Sequence, residues 1–173
     1  MTKAIFLDKD GTIVDNRMCP PIIPTYDLLE SVVEGLLYLQ RLGFRLIIIS
    51  NQSWVGKGMM SVDAVESVFQ KLLMLLLEQG ITISGYYYCV HVSSDNCECR
   101  KPKPGLIFQA AAAHGIDLSC SYFIGDMEKD VLAGKSAGLK TVLVGDKSIG
   151  VTPDFIIRDL NQISEVICYE HIE

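Results

Sequence analysis

Ala4-Ile5-Phe6-Leu7-Asp8-Lys9-Asp10-Gly11-Thr12 is the stretch that decides the fold. Four consecutive apolar residues are a strand's length, and a strand apolar on both faces suits the centre of a parallel sheet. It ends abruptly in a polar turn. Residues two apart on an extended chain face the same way, so Asp8 and Asp10 can direct two carboxylates into one pocket. For Asp and Gly taken alone, a turn of solvated acids is the alternative.

Working outward, the same strand-then-helix pattern recurs. Leu29, Val32, Val33, Leu36, Leu37 and Leu39 have helical spacing over 28–42, and Gly43 stops the helix. Residues 46–49 form a second buried strand, ending at Ser50-Asn51-Gln52-Ser53. Ser61 is an N-cap for a helix running to about residue 79, whose leucines and Met74 read as core. Residues 86–90 make a third strand and 91–103 a loop. Pro104 opens a helix closed by Gly115, and 121–124 is a strand ending in Gly125-Asp126. A helix over 128–137, strands over 141–144 and 154–157, and a helix over 160–168 complete the chain. The expectation is an α/β fold: one Rossmann-like, doubly wound domain over 1–173, with a mainly parallel sheet and a minimal cap. Asp8, Asp10, Ser50 and Asp126 then all fall at carboxyl ends of strands, where such sheets bind ligands.

Bulk properties bound the function. The 173 residues are 49% hydrophobic and 21% charged, which is globular rather than disordered composition. A net charge of -6 argues against sequence-independent nucleic-acid binding. The longest apolar run, residues 72–77, is far short of a membrane span. Residues 1–7 make no secretory signal, so a cytoplasmic protein is expected; with no coiled-coil or apolar stripe left over, the expectation is a monomer without nucleic-acid or membrane partners.

A second acidic element, Gly125-Asp126-Met127-Glu128-Lys129-Asp130, follows another strand. Alone it is an acidic helix start favoured by the helix dipole. Together with Asp8 and Asp10 it suits Mg²⁺, which takes carboxylates, waters and phosphate oxygens. The metal offsets repulsion between the acids and a phosphate dianion, leaving a carboxylate able to act as nucleophile.

Cys89-Val90-His91 and Cys97-Glu98-Cys99 put three thiols and an imidazole within eleven residues. In a reducing compartment such a cluster points to metal, and a closed Cys₃His set is typical of structural Zn²⁺. The zinc loop, 89–101, leads directly into Arg100-Lys101-Pro102, so the metal should fix these cations. Cys120 and Cys168 read as small core residues. His114 reads as a capping or surface residue and His171 as solvated. Nothing beside Cys19 marks a reactive thiolate.

Asp8-Lys9-Asp10-Gly11-Thr12 resembles the DxDGT signature of the haloacid dehalogenase (HAD) superfamily. Ser50, Lys101, and Asp126 with Asp130 resemble its remaining motifs, in order, across most of the chain. The resemblance implies that Asp8 attacks phosphorus and that Asp10 protonates the leaving alkoxide, then activates water. It implies that Ser50 bonds a phosphoryl oxygen and that Lys101 neutralises transferring charge. Asp8, the Asp10 carbonyl and Asp126 would bind Mg²⁺, with Asp130 in support. A second carboxylate at position 10 argues against a dehalogenase, which has no alkoxide to protonate.

The cysteine loop resembles the zinc-bearing branch that holds the D-glycero-D-manno-heptose 1,7-bisphosphate 7-phosphatases and the histidinol phosphatases. Asn51-Gln52-Ser53 and 100–105 are more similar to the heptose enzymes. The implied reaction is hydrolysis of the C7 phosphate, supplying heptose 1-phosphate for lipopolysaccharide core. The alternatives are histidinol phosphate, another small phosphomonoester, or a non-catalytic zinc-stabilised module. Asn51, Gln52, Ser53 and Arg100 are implied substrate residues beside Ser50 and Lys101, with Arg100 suited to a second phosphate. Val90 replaces the family's usual Pro, Trp54 replaces a small residue, and the 16–21 loop lacks the usual Gly-Tyr pair. Trp54 can stack on a ring or shield the pocket, and Lys57 can add a cation at its mouth.

Overall fold

The computed structural model of the protein describes residues 2–15, 28–29, 31–146 and 148–168. Cys19, the 16–21 loop and His171 lie outside the described residues. Among the described residues, β1 (Ala4–Leu7), β2 (Arg45–Asn51), β3 (Ile83–Cys89), β4 (Tyr122–Gly125), β5 (Lys140–Val144) and β6 (Phe155–Ile157) form one parallel sheet. Its order is β3-β2-β1-β4-β5-β6. The chain winds outward from β1 through β2 to β3, then crosses back to begin the other half at β4. Neighbours β1 and β4 therefore flank the reversal, and a crevice opens past their carboxyl ends.

Alternation along the strands fills two cores. Ile5, Leu7, Leu46, Ile48 and Ile124 meet α1 (Val32–Arg41), α2 (Val62–Glu78) and the short α5 (Ile163–Val166). Phe6, Ile47, Ile49 and Phe123 meet Leu106, Ile107 and Ala110 of α3 (Gly105–His114) and Ala133 of α4 (Glu128–Ser136). Helices thus cover both faces, which is why the central strands β1 and β4, and residues 46–49 of β2, are buried throughout.

Ser61 caps α2 as its sequence indicates, its hydroxyl accepting from Ala64 N at 3.1 Å. The burial on α2 corrects the expectation that its leucines and Met74 all lie inside. Val65, Phe69, Leu72 and Leu76 are buried, whereas Met74 and Leu77 are about two-thirds exposed, at 62% and 63%. At 3.6 residues per turn an unbroken apolar run must present some side chains outward. Beneath α2, Phe69 stacks on Tyr86 and Tyr88, with centroids at 4.7 and 5.3 Å. Glu66 accepts hydrogen bonds from both tyrosine hydroxyls. Burial, followed by the bond and charge of Glu66, pushes the Tyr88 hydroxyl up to about 12.

Other expectations are corrected at the edges of the fold. The first helix begins at Val32, because Leu28 bridges to Val14 and Leu29 N bonds Ile13 O at 3.1 Å. The last helix is a 3₁₀ turn (Leu160–Gln162) followed by one helical turn. Cys120 is exposed and Cys168 only half-buried, so neither is a core residue. Cys120 ends a 3₁₀ turn (Leu118–Cys120) before the strand enters the sheet. His114 lies against Tyr87, ring edge to face, with Nε2 3.0 Å from the tyrosine hydroxyl, rather than capping or projecting.

Candidate active site

Asp8 follows β1, and its backbone N–H bonds Ile124 O at 3.0 Å, so the first aspartate is fixed by the neighbouring strand β4. Asp126 follows β4. Ser50 is the penultimate residue of β2, and Lys101 enters from the cysteine loop. Asp8, Ser50, Lys101, Asp126 and Asp130 are all buried.

Two glycines make this convergence possible. Gly11 has φ +89°, and a Cβ there would sit 2.6 Å from Asp126 Oδ2. A Cβ on Gly125 would overlap the Asp130 side chain. Neither position tolerates a side chain without moving a carboxylate.

Lys101 is the hub. Its ammonium lies 2.6 Å from Asp8 Oδ1 and 2.8 Å from Asp130 Oδ1, and donates to Ile49 O at 2.8 Å. Burial alone would lower the Lys101 pKa, but Asp8 and Asp130 more than offset it and the net shift is upward. Asp130 also accepts from Met127 N at 3.1 Å, closing the first turn of α4. Its carboxyl is raised to about 6, by burial and then by the charge of Asp8, against the opposing pull of Lys101.

Carboxylate oxygens of Asp8, Asp126 and Asp130 lie within 4.8 Å of one another. Three buried acids around one buried ammonium leave an excess of negative charge, a donor set of oxygens that fits a hard divalent cation. The cysteine cluster passes a separate geometric test. Cys99 Sγ lies 3.2 Å from Cys89 Sγ, 3.4 Å from Cys97 Sγ and 3.4 Å from His91 Nδ1. Cys89 Sγ lies 3.6 Å from Cys97 Sγ and 3.5 Å from His91 Nδ1. Sulfurs at the corners of a tetrahedral zinc site are about 3.8 Å apart for Zn–S bonds of ~2.3 Å, so the four groups need little movement to close on the metal. Burial pushes the Cys89 thiol up to about 12, which makes its ionisation dependent on a cation.

The residues implied to meet substrate divide into two kinds. Asn51 faces the protein: its amide bonds both backbone groups of Lys101. Gln52 Nε2 donates to Ser50 Oγ at 2.7 Å and to Asp10 Oδ2 at 3.1 Å, so its amide nitrogen is also engaged internally. Ser53 and Arg100 are half-buried. Arg100 Nη1 bonds His91 O at 3.0 Å, and the guanidinium joins Lys101, Lys103 and Lys129 around a cavity of about 360 Å³. Lys57 lies 4.8 Å over the Trp54 ring. Sequence reasoning gave no role to Lys9, which is buried and ion-paired to Asp10. A lysine between two aspartates at the end of an apolar strand was the available signal.

The HAD-hydrolase-like family model matches residues 98–163. A D-glycero-beta-D-manno-heptose-1,7-bisphosphate 7-phosphatase from Helicobacter pylori J99 is 40% identical, covering 92% of this chain and 92% of its own. The chain belongs to the heptose bisphosphate phosphatase branch of the HAD superfamily. A second member of that family, from Pasteurella multocida, is 36% identical over 83% of this chain and 82% of its own. The fold is shared with D,D-heptose 1,7-bisphosphate phosphatase from B. bronchiseptica, solved with magnesium and phosphate. That structure has a TM-score of 0.82, with 23% identity over 95% of this chain and 97% of its own.

Proposed function

We propose that this chain, acting as one domain over 1–173, is a Mg²⁺-dependent phosphatase for the C7 phosphate of D-glycero-D-manno-heptose 1,7-bisphosphate. The supporting observation is the convergence of Asp8, Lys101 and Asp130 in one ion-paired cluster, in a chain 40% identical to a phosphatase of that name. A cytoplasmic monomer is the proposed working form.

Asp8 attacks phosphorus, and the bond between phosphorus and the C7 oxygen breaks as Asp10 gives the departing alkoxide its proton. The phosphoryl group is now on the Asp8 carboxylate. Asp10, left ionised, takes a proton from water as that water attacks phosphorus, which releases phosphate and restores Asp8. Ser50 donates its hydroxyl to a phosphoryl oxygen. Bound Mg²⁺, held by Asp8, the Asp10 carbonyl and Asp126, supplies charge neutralisation for the phosphoryl oxygens. Ser53 contacts the sugar end. Arg100, with Lys103 and Lys129 nearby, receives the second phosphate, where a guanidinium pairs in bidentate fashion.

Phosphate release measured side by side from heptose 1,7-bisphosphate and histidinol phosphate tests the substrate. The bisphosphate should be strongly preferred, and Arg100→Ala should reduce its kcat/KM far more than that for a monophosphate. Preference for histidinol phosphate would refute the assignment.

A further inference from the structure

Gln52 carries more than its implied place at the substrate. It is buried, and its backbone N–H bonds Cys89 O at 2.7 Å, which fixes where the side chain starts. Its amide nitrogen has two protons and uses both, one on Ser50 Oγ at 2.7 Å and one on Asp10 Oδ2 at 3.1 Å. Each bond has a chemical consequence. By donating to Ser50 Oγ, the amide occupies a lone pair and leaves the hydroxyl proton to point elsewhere, toward a phosphoryl oxygen. By donating to Asp10 Oδ2, it stops the carboxyl from rotating freely. The other oxygen, Oδ1, is ion-paired to Lys9. Asp10 stands just before the turn at 11–13 and is half-buried, so without these partners it has several rotamers available.

We propose that Gln52 is a positioning residue that sets the orientation of the acid/base carboxyl and of the phosphate-binding hydroxyl together, rather than a ligand for the sugar. A single side chain then keeps the proton donor and the phosphoryl contact in mutual register. General acid catalysis requires the acid within hydrogen-bond reach of the leaving oxygen, and small misplacement is expensive in rate. The inference rests on the role proposed above for Asp10.

The test exploits leaving-group chemistry. An alkoxide of a sugar needs protonation as it departs, whereas p-nitrophenolate does not. Gln52→Met removes the donor at nearly constant shape, and Gln52→Glu keeps the shape but turns the donor into an acceptor. Asp10→Asn is the reference. kcat/KM is measured for each variant on an alkyl phosphomonoester and on p-nitrophenyl phosphate, with folding followed by circular dichroism.

Both Gln52 variants should lose at least about tenfold more on the alkyl ester than on the aryl ester, echoing Asp10→Asn in direction. If Gln52→Met fails to fold, Gln52→Glu decides the matter. Equal losses on the two esters, or no loss, would overturn the positioning role of Gln52. If Asp10→Asn itself shows no discrimination, the acid/base reading of Asp10 fails, and this inference fails with it.

Discussion

Asn51 and Lys101 exchange a reciprocal pair of hydrogen bonds: Asn51 Nδ2 donates to Lys101 O at 3.0 Å, and Lys101 N donates to Asn51 Oδ1 at 3.1 Å. An amide side chain here imitates a strand partner, docking the cysteine loop onto the end of β2. The lysine's backbone is thereby fixed fifty residues from the strand that holds it. Asn51→Ala should cost about 1–3 kcal/mol of stability by leaving buried backbone groups unpaired. It should also lower kcat more than it raises KM. Denaturant melts and steady-state kinetics on the same preparations check both.

Lys101→Met removes the ammonium that touches both Asp8 and Asp130. The two carboxylates then repel each other in a buried setting, and the nucleophile loses its orientation. kcat should fall by about 10²–10³. Lys101→Arg should not restore it, because the planar guanidinium cannot reproduce three divergent contacts. Unchanged turnover in either variant would contradict this account.

Asp130 gives the metal-free protein a pH signature. Its folded carboxyl is raised from 3.8 to about 6, so between those values the folded state binds more protons than the unfolded state. Stability from this group must therefore fall as pH rises through the window. Asp130→Asn should remove that decline, seen as the difference between the two proteins' melting temperatures from pH 4 to 7 in EDTA-treated samples. A parallel pair of curves would show that Asp130 titrates elsewhere.

The two metals should separate experimentally. Brief EDTA treatment should abolish phosphate release, and Mg²⁺ alone should restore it while the thiol-bound zinc persists. Metal analysis should find zinc in the purified chain, and Cys97→Ser should lose it together with several degrees of melting temperature. Zinc-free wild-type protein of full stability would remove the basis for a structural site.

Much of this was legible in the chain itself. Apolar runs such as 4–7 and 46–49 read as buried strands, and their polar ends pointed to the carboxylates and the serine, whereas Lys101, in the cysteine loop, was legible only through its resemblance to the superfamily motif. The Cys₃His set was legible because its ligands are close in sequence as well as in space. The internal hydrogen bonds of Asn51 and Gln52 were not. Both amides belong to a motif that suggests substrate contact, yet Lys101 and Asp10, which they also bond, lie in other segments, and local pattern carries no record of that. Met74 and Leu77 were misread for a related reason. An apolar run hides its helical phase, and only the position of the sheet decides which side is covered.

The ammonium of Lys101 already donates to Asp8 and to the Ile49 carbonyl, and it is ion-paired to Asp130 as well. An arriving phosphoryl oxygen therefore meets an ammonium crowded by two carboxylates. To approach Lys101 closely it must contend with both. The exchangeable partner is a side chain, since the Ile49 carbonyl is fixed in the sheet. An anion entering the pocket would thus compete with the protein's own carboxylates for Lys101, and Asp130 is a surrogate for that ligand.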